Sequence, residues 1–174
     1  MEDNKPIFII DSNSLITPYK LYYSFDLAPK FWNDIEQKIV DGSIVILDKV
    51  YDELLAGDDE LSTWLSSIPD LSKLSHKDQS IVLAYGEVLN YIQTSGLYTQ
   101  NALIEWSGNR IADPWIIASA KIHAQTVVTF EASSGVISEK SPSSKPKIPD
   151  ICKHFNVGYT NLFDMMRKLS INIS

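Results

Sequence analysis

The stretch IFIIDSNSLI, residues 7–16, is the most informative segment for predicting the fold, because it joins an apolar run to a group of polar side chains. Four consecutive apolar residues without polar alternation are typical of a parallel strand that is covered on both faces. The run ends directly at Asp11, which Ser12 and Asn13 follow. A plain turn would need only Gly or Pro. A carboxylate at the end of a core strand therefore predicts a functional residue.

Two further runs have the same apolar character, IVIL at residues 44–47 and TVVT at residues 126–129, and a weaker strand is predicted at 157–160. Helical patterns fill the intervals between the strands, at residues 29–41, 49–56, 58–67, 101–107, 113–123 and 161–169. A longer helix is predicted to begin at a capping box formed by Ser75 and Asp78 and to run to residue 93. We therefore predict an α/β fold, a three-layer α/β/α sandwich around a central parallel sheet of about four to five strands.

Length and composition predict a single domain over residues 1–174, with an exposed loop rich in Ser, Pro and Lys at residues 133–149. No apolar run is long enough to span a bilayer, and residues 1–5 are too mixed in charge for a signal peptide. Cys152 is the single cysteine, which excludes an intramolecular disulfide. We expect a cytoplasmic protein with no membrane association.

The chain carries 22 acidic and 15 basic residues, a formal net charge of −7. Such a balance gives no long-range attraction to a polyanion. A nucleic-acid substrate would therefore need a bound cation or a local basic patch, for which the candidates are Lys140, Lys145, Lys147 and Lys153.

Acidic residues from distant parts of the chain adjoin the ends of the predicted strands: Asp11, Asp48, Glu53, Asp113 and Glu131. In an open parallel sheet the functional crevice lies outside the carboxyl ends of the strands. Each acid also has an ordinary interpretation. Asp113 before Pro114 is a good helix N-cap, and Glu53 is typical of a solvated helix surface. The pattern as a whole is what favours a shared site.

Charge repulsion decides what such a site would need. Two carboxylates ~5 Å apart repel by about 3 kcal/mol at an effective dielectric of 20. Several together require raised pKa values or bound cations. Because the chain has one Cys and three His, an all-oxygen site is expected, and oxygen ligands suit Mg²⁺ or Mn²⁺.

The segments IIDSNSLI, YDELL, IADPWIIASA and VVTFE resemble, in this order, the motifs of the PIN-domain family of metal-dependent nucleases. The resemblance implies that Asp11, Glu53, Asp113 and Glu131 are the catalytic residues and bind one or two Mg²⁺ or Mn²⁺ ions for hydrolysis of RNA. It also implies that Asn13 and Ser12 orient the substrate, and it leaves Asp150 as a possible additional acid. The family commonly has Asp at the fourth position, where this chain has Glu131.

The segments YYSFDLAPKFWNDIE, KIPDICKHFNV and NLFDMMRKL resemble a bacterial PIN-like branch associated with toxin–antitoxin pairs. This resemblance implies an endoribonuclease toxin with an RNA substrate, a cognate antitoxin protein and a homodimeric state.

Three other functions compete with this interpretation. A metal-dependent adhesion or binding module would need a ligand at Leu15, and an aspartyl phosphatase would need a second Asp at Asn13. A catalytically silent PIN-like protein that acts through a protein partner remains open, because carboxylates are necessary for cleavage but do not ensure it.

Overall fold

A computed structural model of the chain describes residues 5–174. Its core is one sheet of five parallel strands in the order β3-β2-β1-β4-β5, with β1 in the centre. The strands are β1 (Phe8–Ile10), β2 (Ile44–Leu47), β3 (Lys73–Leu74), β4 (Thr126–Val128) and β5 (Tyr159–Thr160). The predicted α/β fold with a central parallel sheet is confirmed.

Helices flank this sheet: α1 (Asn13–Thr17), which continues into a π-helical turn (Pro18–Tyr22), α2 (Pro29–Val40), α3 (Asp48–Leu55), α4 (Glu60–Ser67), α5 (Gln79–Thr94), α6 (Gln100–Trp106), α7 (Asp113–His123), α8 (Ile148–His154) and α9 (Leu162–Leu169). Successive side chains of a strand point to opposite faces, and Phe8, Ile9 and Ile10 are all fully buried. Both faces of the sheet are therefore covered, which explains the unbroken apolar runs.

One prediction of local structure was wrong, and three short elements were not predicted. The long helix begins at Gln79, and its N-cap is Asp78, whose Oδ1 accepts hydrogen bonds from the N–H groups of Ser80 and Ile81. Ser75 lies before the helix and does not cap it. Strand β3 and the helices α1 and α8 were not predicted, because each is too short to show a period of its own.

Residues 133–145 form a largely exposed connection between β4 and α8, but the predicted loop extends two residues too far. Ile148 and Pro149 are buried in the first turn of α8. Ser143 anchors the connection, since its N–H donates to the carbonyl of Leu97 and its carbonyl accepts from Thr99. Within residues 5–174 no helix is long and apolar enough to cross a membrane. The prediction about a signal peptide rests mainly on residues 1–4, which lie outside the described part.

Candidate active site

Asp11 follows β1 directly and lies between the ends of β1 and β4. Its N–H donates to the carbonyl of Val128 (3.0 Å), and the Ser14 hydroxyl donates to the same carbonyl (3.2 Å). The Asp11 side chain is almost fully buried, and its Oδ2 accepts a hydrogen bond from Thr129 Oγ1 (3.3 Å). The chain continues from β1 to β2 on one side while β4 lies on the other. Asp11 thus occupies the point where ligands bind in open parallel sheets.

Asp113 is the first residue of α7, and the helix N-cap position is held by Ala112. No side-chain hydrogen bond caps this helix, so the interpretation of Asp113 as an N-cap is wrong. Two residues later, Trp115 stacks on Tyr85 of α5 (ring centroids 3.7 Å apart) and meets the edge of His76. This packing fixes the first turn of α7 and with it the position of Asp113.

The four predicted acids form one electrostatic group, which we call the acidic cluster: Asp11, Glu53, Asp113 and Glu131. Burial, followed by the charges of Asp113, Glu53 and Glu131, raises the pKa of Asp11 to about 7. Burial followed by the charges of Glu131 and Glu53 likewise raises the pKa of Asp113 to about 7, while Lys147 acts in the opposite direction. The structure therefore brings together acids that the sequence separates by up to 120 residues.

Glu131 is already engaged within the protein. Its Oε2 accepts the N–H of Ile148 at the start of α8 (2.8 Å), and its Oε1 lies 3.4 Å from Lys147 Nζ. Glu131 therefore holds the end of β4 against α8. Each Glu131 oxygen thus already has one partner, and a cation bound there would share the carboxylate with Ile148 and Lys147.

The remaining predicted site residues lie in three different environments. Ser12 is buried next to Asp11, whereas Asn13 is exposed at the first position of α1. Asp150 accepts the N–H of Ser134 (2.9 Å) and is not among the charges that raise the pKa of Asp11 or Asp113. The structure thus places Asp150 as an anchor of the connection between β4 and α8.

Asp48 was predicted to adjoin the end of a strand, but its pairing with His76 was not predicted. Asp48, the first residue of α3, accepts His76 Nδ1 at 2.7 Å and also the N–H groups of His76 and Lys49. This Asp48–His76 pair links the ends of β2 and β3. Thr129 was predicted as the last residue of a strand, whereas in the structure it follows β4 and its hydroxyl donates to Asp11.

Carboxylates suit a hard divalent cation, and Asp11 and Asp113 have no ion pair with a Lys or Arg among residues 5–174. Within the same residues, no group of three or more His, Cys, Asp or Glu is already arranged to hold a metal ion. The donor chemistry therefore fits Mg²⁺ or Mn²⁺, while enclosing the ion would require side chains of the acidic cluster to move.

The five-stranded parallel sheet, with acids gathered at the end of its central strand, is the arrangement of a PIN-like α/β fold. The chain belongs to the family described as Domain of unknown function (DUF4411), whose profile matches residues 8–173. No curated protein matches the sequence significantly.

Two solved structures are similar to this chain. VapBC2 from Rickettsia felis, bound to a DNA fragment from its promoter, has a TM-score of 0.51 and 18% identity over 89% of this chain and 98% of that chain. VapBC-1 from nontypeable Haemophilus influenzae has a TM-score of 0.50 and 16% identity over 90% of this chain and 98% of that chain. At these identities the likeness establishes a shared fold, and the resemblance to the PIN-like fold is confirmed.

Proposed function

We propose that this protein is a metal-dependent endoribonuclease that hydrolyses RNA phosphodiester bonds. The observation that supports it is the burial of Asp11 beside Asp113, Glu53 and Glu131, which raises the pKa of Asp11 to about 7. Burying carboxylates together opposes folding unless a cation compensates the charge. A site that is costly to the fold and lies at the binding edge of the sheet is typical of function.

In this proposal Asp11, Asp113 and Glu53 hold Mg²⁺ or Mn²⁺, and Glu131 is the fourth acid. When bound, the ion would polarise the phosphate and activate a water molecule for attack. Asp11 is held rigidly by β1 and β4, so it orients whatever the acidic cluster binds. The exposed Asn13 and the neighbouring Ser12 are proposed to orient the RNA.

We further propose that the protein is the toxin of a cytoplasmic toxin–antitoxin pair. The support is the fold shared with VapBC structures, together with apolar side chains that are exposed on several elements. Leu27 is 76% exposed, Leu21 on the π-helical turn 69% and Leu83 on α5 65%. A cognate antitoxin or a second copy of the chain would bury such side chains.

The test is cleavage of a mixed RNA pool with Mn²⁺, Mg²⁺ or EDTA. Asp11→Asn is compared with Asp70→Asn, because Asp70 is exposed and precedes β3 at the opposite edge of the sheet. We expect metal-dependent cleavage by wild type and Asp70→Asn, and none by Asp11→Asn. Full metal-dependent cleavage by Asp11→Asn would refute the assignment of this site.

A catalytically silent PIN-like module that acts through a protein partner is the second candidate. Two observations favour it: the engagement of both Glu131 oxygens and the lack of a preformed metal-ligand group within residues 5–174. Well-folded protein that binds a partner but cleaves no RNA under any metal would support this function over the first.

A further inference from the structure

A cavity of about 460 Å³ adjoins the acidic cluster on the side of α3. Its lining residues are Lys49, Asp52, Glu53, Ala56, Asn109 and Arg110. One member of the acidic cluster, Glu53, thus shares a cavity with two cationic side chains. A second cavity on the other flank of the site is lined by Glu131 and Asp164 and has no Lys or Arg in its wall. The two flanks of the acidic cluster therefore differ in charge.

Lys49 is held in place without being neutralised. Its Nζ donates to the carbonyl oxygen of Asn109 (2.8 Å) and to the Asn109 Oδ1 (3.3 Å), and both acceptors are uncharged. Lys49 and Glu53 are separated by one turn of α3 and lie on the same face of that helix. The ammonium group is therefore a fixed positive charge in the cavity that Glu53 lines.

Arg110 adds a second charge three residues before Asp113. Its side chain is exposed and makes no ion pair among residues 5–174. The chain has one other arginine, Arg167, which pairs with Asp164 on α9. A guanidinium group binds phosphate oxygens through two parallel hydrogen bonds. Arg110 is thus free to bind an anion at the mouth of the cavity.

The net charge of −7 favours such a site in a nuclease, because the molecule as a whole repels RNA. We propose that Lys49 and Arg110 bind a phosphate of the RNA backbone next to the one that is cleaved, and so hold the chain across Glu53. This inference rests on the proposed ribonuclease function and assigns the side from which the RNA enters the acidic cluster.

The test measures binding of a fluorescent single-stranded RNA by anisotropy at several salt concentrations. Every protein carries Asp11→Asn so that the RNA stays intact, and Arg110→Gln is compared with Arg167→Gln. We expect Arg110→Gln to weaken binding by about 3- to 10-fold and to reduce the slope of log K against log salt by about 0.7, the loss of one phosphate contact. Arg167→Gln should leave both quantities unchanged.

Lys49 is tested by a pair of variants in the same background. Lys49→Gln should weaken binding, and Lys49→Arg should restore most of it because the positive charge is kept. In the cleaving enzyme, Arg110→Gln should raise KM with little change in kcat, as expected for loss of uniform binding.

Equal RNA affinities for Arg110→Gln and Arg167→Gln would overturn the phosphate site while leaving the ribonuclease function intact. No RNA binding by the Asp11→Asn parent, together with no cleavage by the wild type, would overturn both proposals.

Discussion

The Thr129 hydroxyl donates a hydrogen bond of 3.3 Å to Oδ2 of Asp11 and so joins the end of β4 to the end of β1. The oxygen of the Thr129 hydroxyl in turn accepts a hydrogen bond from the N–H of Glu131 (3.1 Å). Two members of the acidic cluster are thus connected through one uncharged side chain. The hydrogen bond to Asp11 lowers the pKa of that carboxyl and offsets part of the effect of burial.

Replacing Thr129 tests this connection. Thr129→Val keeps the shape but removes both hydrogen bonds, which should lower the free energy of unfolding by about 1–2 kcal/mol. Thr129→Ser keeps the hydroxyl and should stay within about 0.5 kcal/mol of the wild type. Urea unfolding measures both. A Thr129→Val protein as stable as Thr129→Ser would show that the connection contributes nothing to stability.

Stability should depend on pH through Asp11 and Asp113. Because their pKa values are raised to about 7, the folded protein retains protons that the unfolded chain releases above about pH 4. Without divalent cations, the free energy of unfolding should therefore fall as pH rises from about 4 to about 8.

Asp11→Asn removes one of these titrations. Its stability relative to the wild type should increase by about 2–3 kcal/mol between about pH 5 and about pH 8, while Asp70→Asn should follow the wild-type curve. Parallel curves for Asp11→Asn and the wild type would mean that Asp11 titrates alike in the folded and unfolded states.

Divalent cations should stabilise the folded protein by relieving the same repulsion. At a Mn²⁺ concentration about 100 times Kd, the gain is about 2.7 kcal/mol, visible as a rise in Tm. Asp113→Asn should lose most of this rise and Asp70→Asn should keep it. An equal rise in the two variants would locate the cation outside the acidic cluster.

The Asp48–His76 pair should stabilise the edge formed by β2 and β3. Asp48→Ala leaves the N–H groups of His76 and Lys49 without their carboxylate acceptor and should cost about 2 kcal/mol. Asp52→Ala on the same helix removes an exposed carboxylate and should cost less than about 0.5 kcal/mol. Similar losses in the two variants would mean that the pair adds no stability.

Glu131 should matter less to cleavage than Asp11. Both of its oxygens are occupied by Lys147 and Ile148, so we expect Glu131→Gln to reduce kcat by no more than about tenfold, a change of about 1.4 kcal/mol. Asp11→Asn should abolish cleavage in the same assay. If Glu131→Gln is as inactive as Asp11→Asn, Glu131 acts directly at the metal.

Apolar runs identified β1, β2 and β4, and the weaker run at residues 157–160 identified β5. These predictions succeeded because a strand buried on both faces has a distinctive local composition. Strand β3 could not be found this way, since Lys73–Leu74 has no pattern and exists only because it pairs with β2. Asp113 was the opposite case: its local sequence favoured a helix cap, but in the structure it lies half-buried among other acids.

The α/β class, the strands of the sheet centre and the acids that follow or adjoin them could be predicted from the sequence, because these features depend on neighbours along the chain. The contacts of Glu131 with the start of α8 and of Asp48 with His76, and the cavity that Lys49 and Arg110 share with Glu53, became visible in the folded structure. Each of these relationships joins segments that are distant in sequence. The distances between these residues and their burial depend on how the crossover connections pack on the sheet, which cannot be predicted from a short stretch of sequence.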